Sequence, residues 1–151
     1  MALEFRLTLA GDIPLEDVAE LAAANPTEKP TSTGDPRLLS ARLYEERGYA
    51  LSVYAGEHGY FDAEDDGGAR WEWEPATFVD VDFSMRGDEV MEKAIPNMVD
   101  AVARVLAGRP EDAALVQGGN YLLLTRTDGV TRKHRPDWWS HHDLAGKAIQ
   151  P

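Results

Sequence analysis

The chain contains no cysteine among its 151 residues, which excludes disulfides, thiolate metal sites and a cysteine nucleophile. It also lacks any apolar run approaching the ~18 residues that span a bilayer. Its first residues, Met1-Ala2-Leu3-Glu4-Phe5-Arg6-Leu7, show no basic segment followed by a long apolar stretch. Neither a signal peptide nor a membrane span is therefore expected, and the cytoplasm is the expected location. No glycine-rich phosphate loop follows a strand, and Ser52, Ser84 and Ser140 lack the context of a nucleophile elbow. Positive charge is scarce too. Fifteen basic residues face 27 acidic ones, a net charge of -12, and such a field repels nucleic-acid phosphates and anionic lipid while steering basic proteins inward.

What is present suits a folded chain. A hydrophobic fraction of 43% and a charged fraction of 28% fit one domain, placed over residues 1–145, with 146–151 expected to be a disordered tail. Leu3, Phe5, Leu7 and Leu9 alternate with polar residues and predict a first strand. Leu15, Val18, Ala19, Leu21 and Ala22 predict a helix capped by Asp12. The span Thr27 to Pro36 predicts an exposed loop, and Leu38, Leu39, Leu43 and Tyr44 fit a helix or a strand equally. Tyr49–Ala55 and Tyr60–Ala63 predict strands. A long helix from Asp88 to Gly108 meets Pro96, which either kinks it or opens a second piece. Ala113–Gln117, Tyr121–Thr127 and Val130–His134 complete the strands, with turns at Gly118-Gly119-Asn120 and Asp128-Gly129. The order predicts an α+β fold: a mainly antiparallel sheet of about six strands with two principal helices packed on one face.

The most informative stretch is Arg70-Trp71-Glu72-Trp73-Glu74-Pro75, followed by Thr77-Phe78-Val79-Asp80-Val81-Asp82-Phe83. Strand residues point alternately to opposite faces. Pairing the two runs through a three-residue loop sets Trp73 opposite Val79 and Trp71 opposite Val81 on the inner face. It also sets Arg70 opposite Asp82, and Glu72 opposite Asp80, a like-charge pair that folding alone does not favour. Glu72, Glu74, Asp80 and Asp82 are then expected on one exposed acidic face. Trp138 and Trp139 are adjacent and cannot both face inward, so one is an expected binding anchor beside that face.

Other chemistry is weakly signalled. His134, His141, His142 and Asp143 are metal-ligand types, but two adjacent histidines rarely reach one ion, so no metal is expected. Asp62-Ala63-Glu64-Asp65-Asp66-Gly67 begins like a calcium loop and then fails, because its twelfth position is Trp73. No cofactor is expected.

The chain resembles the bacterial Sit-type immunity proteins, the partners of swarming-inhibition toxins. The resemblance lies in Leu3-Glu4-Phe5, Trp71-Glu72-Trp73-Glu74-Pro75, Ile95-Pro96-Asn97-Met98, Glu111-Asp112-Ala113-Ala114-Leu115, Leu122-Leu123-Leu124 and Trp138-Trp139. It implies a non-enzymatic protein that binds and occludes a toxin, and it assigns no active site. With the charge, a basic toxin domain is the expected partner, met by Glu72, Glu74, Asp80, Asp82, Trp138 and Trp139. The alternatives are a small hydrolase using the sheet-face carboxylates and a small-ligand-binding α+β domain.

Overall fold

The computed structural model describes residues 2–87, 90–118, 120–142 and 149. Among them, ten strands form one sheet: β1 (Ala2–Ala10), β2 (Thr31–Ser32), β3 (Leu38–Leu43), β4 (Tyr49–Glu57), β5 (Phe61–Glu64), β6 (Arg70–Trp73), β7 (Thr77–Arg86), β8 (Ala113–Gln117), β9 (Tyr121–Thr127) and β10 (Val130–Lys133). Their order is β2-β3-β4-β7-β1-β8-β9-β5-β6, with β10 also on β9. The sheet is mixed, because β5 meets β9 in parallel at Glu64 and Tyr121. Three helices accompany it: α1 (Leu15–Ala22), α2 (Ile95–Gly108) and α3 (Pro136–His141). This corrects the expected fold of about six mainly antiparallel strands with two helices. The extra strands escape periodicity because β2 is two residues long and lies in a Pro/Thr/Ser stretch, and β3 carries no regular alternation.

The core face follows from alternation. Phe5, Leu7 and Leu9 of β1 stand opposite Phe83, Val81 and Val79 of β7, and Leu51 and Val53 of β4 join them from the other side of β7. These side chains pack with Val18 and Ala22 of α1, Met98, Val102 and Val105 of α2, and Trp139 of α3. Burial of each of the larger side chains among these stabilises the fold by about 1.5–3 kcal/mol. Ile149 is buried in the same core; the other residues of the expected tail, 146–148, 150 and 151, lie outside the described residues.

Pro96 falls in the first turn of α2, where its fixed φ suits the helix and its missing N–H costs nothing. A π-helical turn, Val90–Ala94, precedes it, and Asp88, the expected cap, lies outside the described residues. Asp12 does not cap α1, which starts after Pro14 without a side-chain cap. Neither α1 nor α2 has a basic residue in its last turn. Arginines from elsewhere supply the charge. Arg104 of α2 donates from Nε and Nη2 to the carbonyls of Leu21 and Ala22 at 3.0 and 2.8 Å. Arg126 of β9 does the same for the end of α2, donating from Nη1 to Leu106 at 2.7 Å. Both complement the negative end of a helix dipole.

The sheet curls on itself. Four strand spacings separate β5 from β7, roughly 19 Å if the sheet were flat, yet the Phe61 and Phe78 rings meet edge to face at 5.1 Å. Gly56 of β4 makes room for this contact, since a Cβ there would stand 2.4 Å from Phe78 Cζ. Gly56→Ala should displace Phe78 and cost about 1–3 kcal/mol, read as a lower thermal midpoint. An unchanged midpoint would show that the ring moves freely.

The expected hairpin of β6 with β7 does not form. β6 pairs instead with β5, setting Trp73 opposite Phe61, Glu72 opposite Asp62 and Trp71 opposite Ala63. Both edges of the ten-residue β7 are occupied by β1 and β4, which are longer than the four-residue β6. Pro75, lacking an N–H, also ends the ladder before the chain reaches β7.

Candidate functional site

The curl encloses a cleft of about 580 Å³ on the face opposite the core. Its floor comes from strands in the middle of the sheet: Arg6 and Thr8 of β1, Ser52 of β4, Asp82 and Ser84 of β7. One wall is the β5–β6 hairpin with Tyr60 before it, presenting Tyr60, Phe61, Trp71 and Trp73; the other is β3, with Ser40 and Arg42. The Trp71 and Trp73 rings lie 5.9 Å apart and are half-buried. They pack beside a small apolar group of Ala63, Ala114, Val116 and Leu122, separate from the main core.

The floor is a charge network built by strand register. Thr8 pairs with Asp80 and Arg6 with Asp82 across β1 and β7. Arg6 Nε donates to Asp82 Oδ1 at 3.0 Å and lies 3.8 Å from Asp80 Oδ2. Thr8 Oγ1 donates to Asp80 Oδ1 at 2.5 Å. Burial pushes the Asp80 carboxyl up to about 6, against the opposing pull of the Thr8 hydrogen bond. Burial also raises Asp82, with Arg6 opposing. Burial works against the Arg6 charge, but Asp82 and Asp80 outweigh it and raise its pKa.

The six residues expected to meet a partner are dispersed. Glu72 and Glu74 are exposed, and Glu72 points away from the cleft, since Trp71 and Trp73 line it. A like-charge pair does occur at Glu72, but its partner is Asp62. Arg70 lies between the two carboxylates, 3.0 Å from Glu72 and 2.8 Å from Asp62. Asp80 is only 6% exposed and does not line the cleft, whereas the Asp82 side chain is 38% exposed and does. The four carboxylates therefore do not share one exposed face, because β6 and β7 are not neighbours. Trp139, 6% exposed, donates Nε1 to the Leu123 carbonyl at 2.9 Å. Trp138 is half-buried against the same core, its ring 6.0 Å from Phe5.

Sequence reasoning missed Arg6 and Thr8. The available signal was that both occupy the polar parity of the first strand, the parity that register joins to Asp80 and Asp82.

The histidines are engaged elsewhere. His134 is buried, with Nδ1 3.2 Å from Asp66 Oδ1 and Nε2 3.2 Å from Thr125 Oγ1. The hydrogen bond from His134 holds Asp66 below the usual carboxylate range. This is the order of an acid–base–hydroxyl relay, but neither the main cleft nor a second hollow of about 380 Å³ beside Asp62, Glu64 and Tyr121 is lined by any of the three. The His141 and His142 rings stack edge to face at 5.0 Å, and Asp143 lies outside the described residues. Among the described residues no three His, Asp or Glu side chains are grouped to hold a metal. The calcium-like loop is an Asx turn, in which Asp65 Oδ1 accepts from the N–H groups of Gly67 and Ala69, both at 2.9 Å.

The fold and site define a class: a curled mixed-sheet protein with one face packed into a core and the other given to an acidic, aromatic-walled cleft. The chain belongs to the SitI3-like family, whose model matches residues 3–143. That is a family of Sit-type immunity proteins. No curated protein and no solved structure matches the chain. No helix is long and apolar enough to cross a membrane among the described residues.

Proposed function

We propose that the protein neutralises a cognate toxin in the cytoplasm by binding and occluding it, without catalysis. The family match across residues 3–143 carries this reading. The net charge of -12 favours a basic toxin domain, drawn in by long-range attraction that raises the association rate more than the final affinity. The exposure of Glu72 on the β5–β6 hairpin, which also carries Asp62 and Glu64, and of Glu74 just after it supports a role for both in first encounter. Asp82, backed by Asp80, is reached through the cleft. Placement also favours binding over acid–base work. Asp80 is buried and bonded to Thr8, Asp82 is held by Arg6, and Glu72 points outward.

The test is pull-down of the partner from the native cell, followed by its association with the purified protein at low and high salt. A complex should form, and its association rate should fall steeply as salt screens the charges. Glu72→Lys with Glu74→Lys should slow association about tenfold at low salt and leave the thermal midpoint nearly unchanged, because both residues are exposed. Absence of a complex, or a partner that is itself acidic, would sink the proposal.

A further inference from the structure

We infer that the cleft receives a basic side chain of the partner, arginine or lysine, laid against Trp71 and Trp73 and paired with the carboxylates of the floor. The inference rests on the reading that the protein acts by binding a basic partner, and it names where and how that basicity is recognised.

The floor is already a guanidinium site in which the carboxylates outnumber the cation. Arg6 sits 3.0 Å from Asp82 and 3.8 Å from Asp80, and Glu4, also lining the cleft, acts on the charges of both Arg6 and Asp82. Two carboxylates thus lie within 3.8 Å of one guanidinium, with a third, Glu4, on the same cleft lining. Arg42, on the opposite wall, lies 5.8 Å from the Tyr44 ring. On the hairpin, Asp62 is matched by Arg70 at 2.8 Å. With Asp62 matched in this way, Glu4, Asp80 and Asp82 face Arg6 and Arg42, so the cleft keeps a net negative charge, and its carboxylates lie on the floor. Burial raises the carboxyls of Asp80 and Asp82, as expected where desolvation outweighs the cation present. A second cation entering the cleft would redress that imbalance.

The wall supplies the other half of the recognition. Aromatic faces are negative and attract a cation within about 6 Å, and Trp71 and Trp73 present two rings 5.9 Å apart on the side opposite β3. The same chain already stacks guanidinium groups on tyrosines, Arg86 on Tyr44 at 4.0 Å and Arg135 on Tyr121 at 4.6 Å. A volume of about 580 Å³ lies in the range of ligand clefts and accommodates a basic side chain with part of its own backbone. An uncharged apolar segment would leave the floor carboxylates unpaired and further desolvated, a cost that disfavours it.

The probe is the peptide acetyl-Gly-Arg-Gly-Arg-Gly-amide, compared with its citrulline twin, which keeps the shape and removes the charge. The indole N–H signals of the full-length protein are followed by NMR. The arginine peptide should shift Trp71 and Trp73 and leave Trp139 unmoved, and the citrulline peptide should bind at least about tenfold more weakly. Asp82→Asn should weaken arginine-peptide binding about fivefold, whereas Ser84→Asp, which adds a carboxylate to the same floor, should strengthen it. Equal binding of the two peptides, no binding at millimolar concentration, or a shift of Trp139 with Trp71 and Trp73 unmoved would overturn the inference. A toxin complex that survives any of these results overturns the cleft alone; loss of that complex as well overturns the reading beneath it.

Discussion

Arg126→Met should destabilise the protein by about 3–5 kcal/mol, seen in urea unfolding as a lower midpoint at unchanged slope. The side chain belongs to a strand, is 8% exposed and makes three charged hydrogen bonds to backbone. Nε donates to the Glu111 carbonyl at 2.9 Å, Nη1 to Leu106 at 2.7 Å and Nη2 to Arg109 at 2.5 Å. These bonds close the end of α2 and hold the turn into β8. Methionine fills much of the volume and satisfies none of the carbonyls, leaving three acceptors with little access to water. Arg126→Lys should recover only part of the loss, because an ammonium group cannot span three acceptors set by a planar fork. A loss below about 1 kcal/mol for the methionine variant would show that water replaces the guanidinium.

Asp80→Asn should make the protein more stable at pH 7, by as much as about 3 kcal/mol. The sign follows from the direction of the shift. Burial raises the Asp80 carboxyl from 3.8 to about 6, so the folded state holds this proton more tightly than the unfolded chain. The resulting stabilisation is complete below about 3.8 and is lost as pH rises through about 6. Asparagine is neutral throughout, and its carbonyl oxygen can still accept from Thr8. The variant should therefore match the parent near pH 4 and exceed it increasingly toward pH 7. Glu28, Glu111 and Asp66, all lowered by their partners, give the opposite slope in both proteins and cancel in the difference. Stability curves that stay parallel from pH 4 to pH 7.5 would refute the assignment.

Local pattern revealed local structure. The alternation from Leu3 to Leu9 marked β1, the stripe from Ile95 to Leu106 marked α2, and Asp128-Gly129 marked the β9–β10 turn, where both residues have positive φ, 51° and 81°. What pattern could not supply was the identity of neighbours. The alternation Trp71-Glu72-Trp73 distinguished the two sides of β6, but its partner depended on which strands had already taken the edges of β7. Arg126 follows the apolar run of β9 in polar company and reads as exposed; only the end of α2 gives it something to bind. Glu28, in the proline-rich stretch expected to be an exposed loop, is instead buried against Arg47, with bonds of 2.8 and 3.0 Å. The candidate site was legible to the same extent. Asp82 is expected on an exposed face and does line the cleft, but Trp71 and Trp73, expected on the inner face, stand on the cleft wall with it and outside the main core, because the curl that forms the cleft exists only in three dimensions.

The position of β1 has a consequence for how the protein is made. Residues 2–10 are made before the strands they pair with, yet they occupy the middle of the sheet, between β7 and β8. Their second flank is not complete until residue 117 has been added, on the order of 10 s later at ordinary translation rates. Through that interval Phe5, Leu7 and Leu9 have no finished surface to cover them and are open to chaperones. A nascent chain that stops short of β8 leaves its central strand half-paired, so the sheet closes only once β8 has been made.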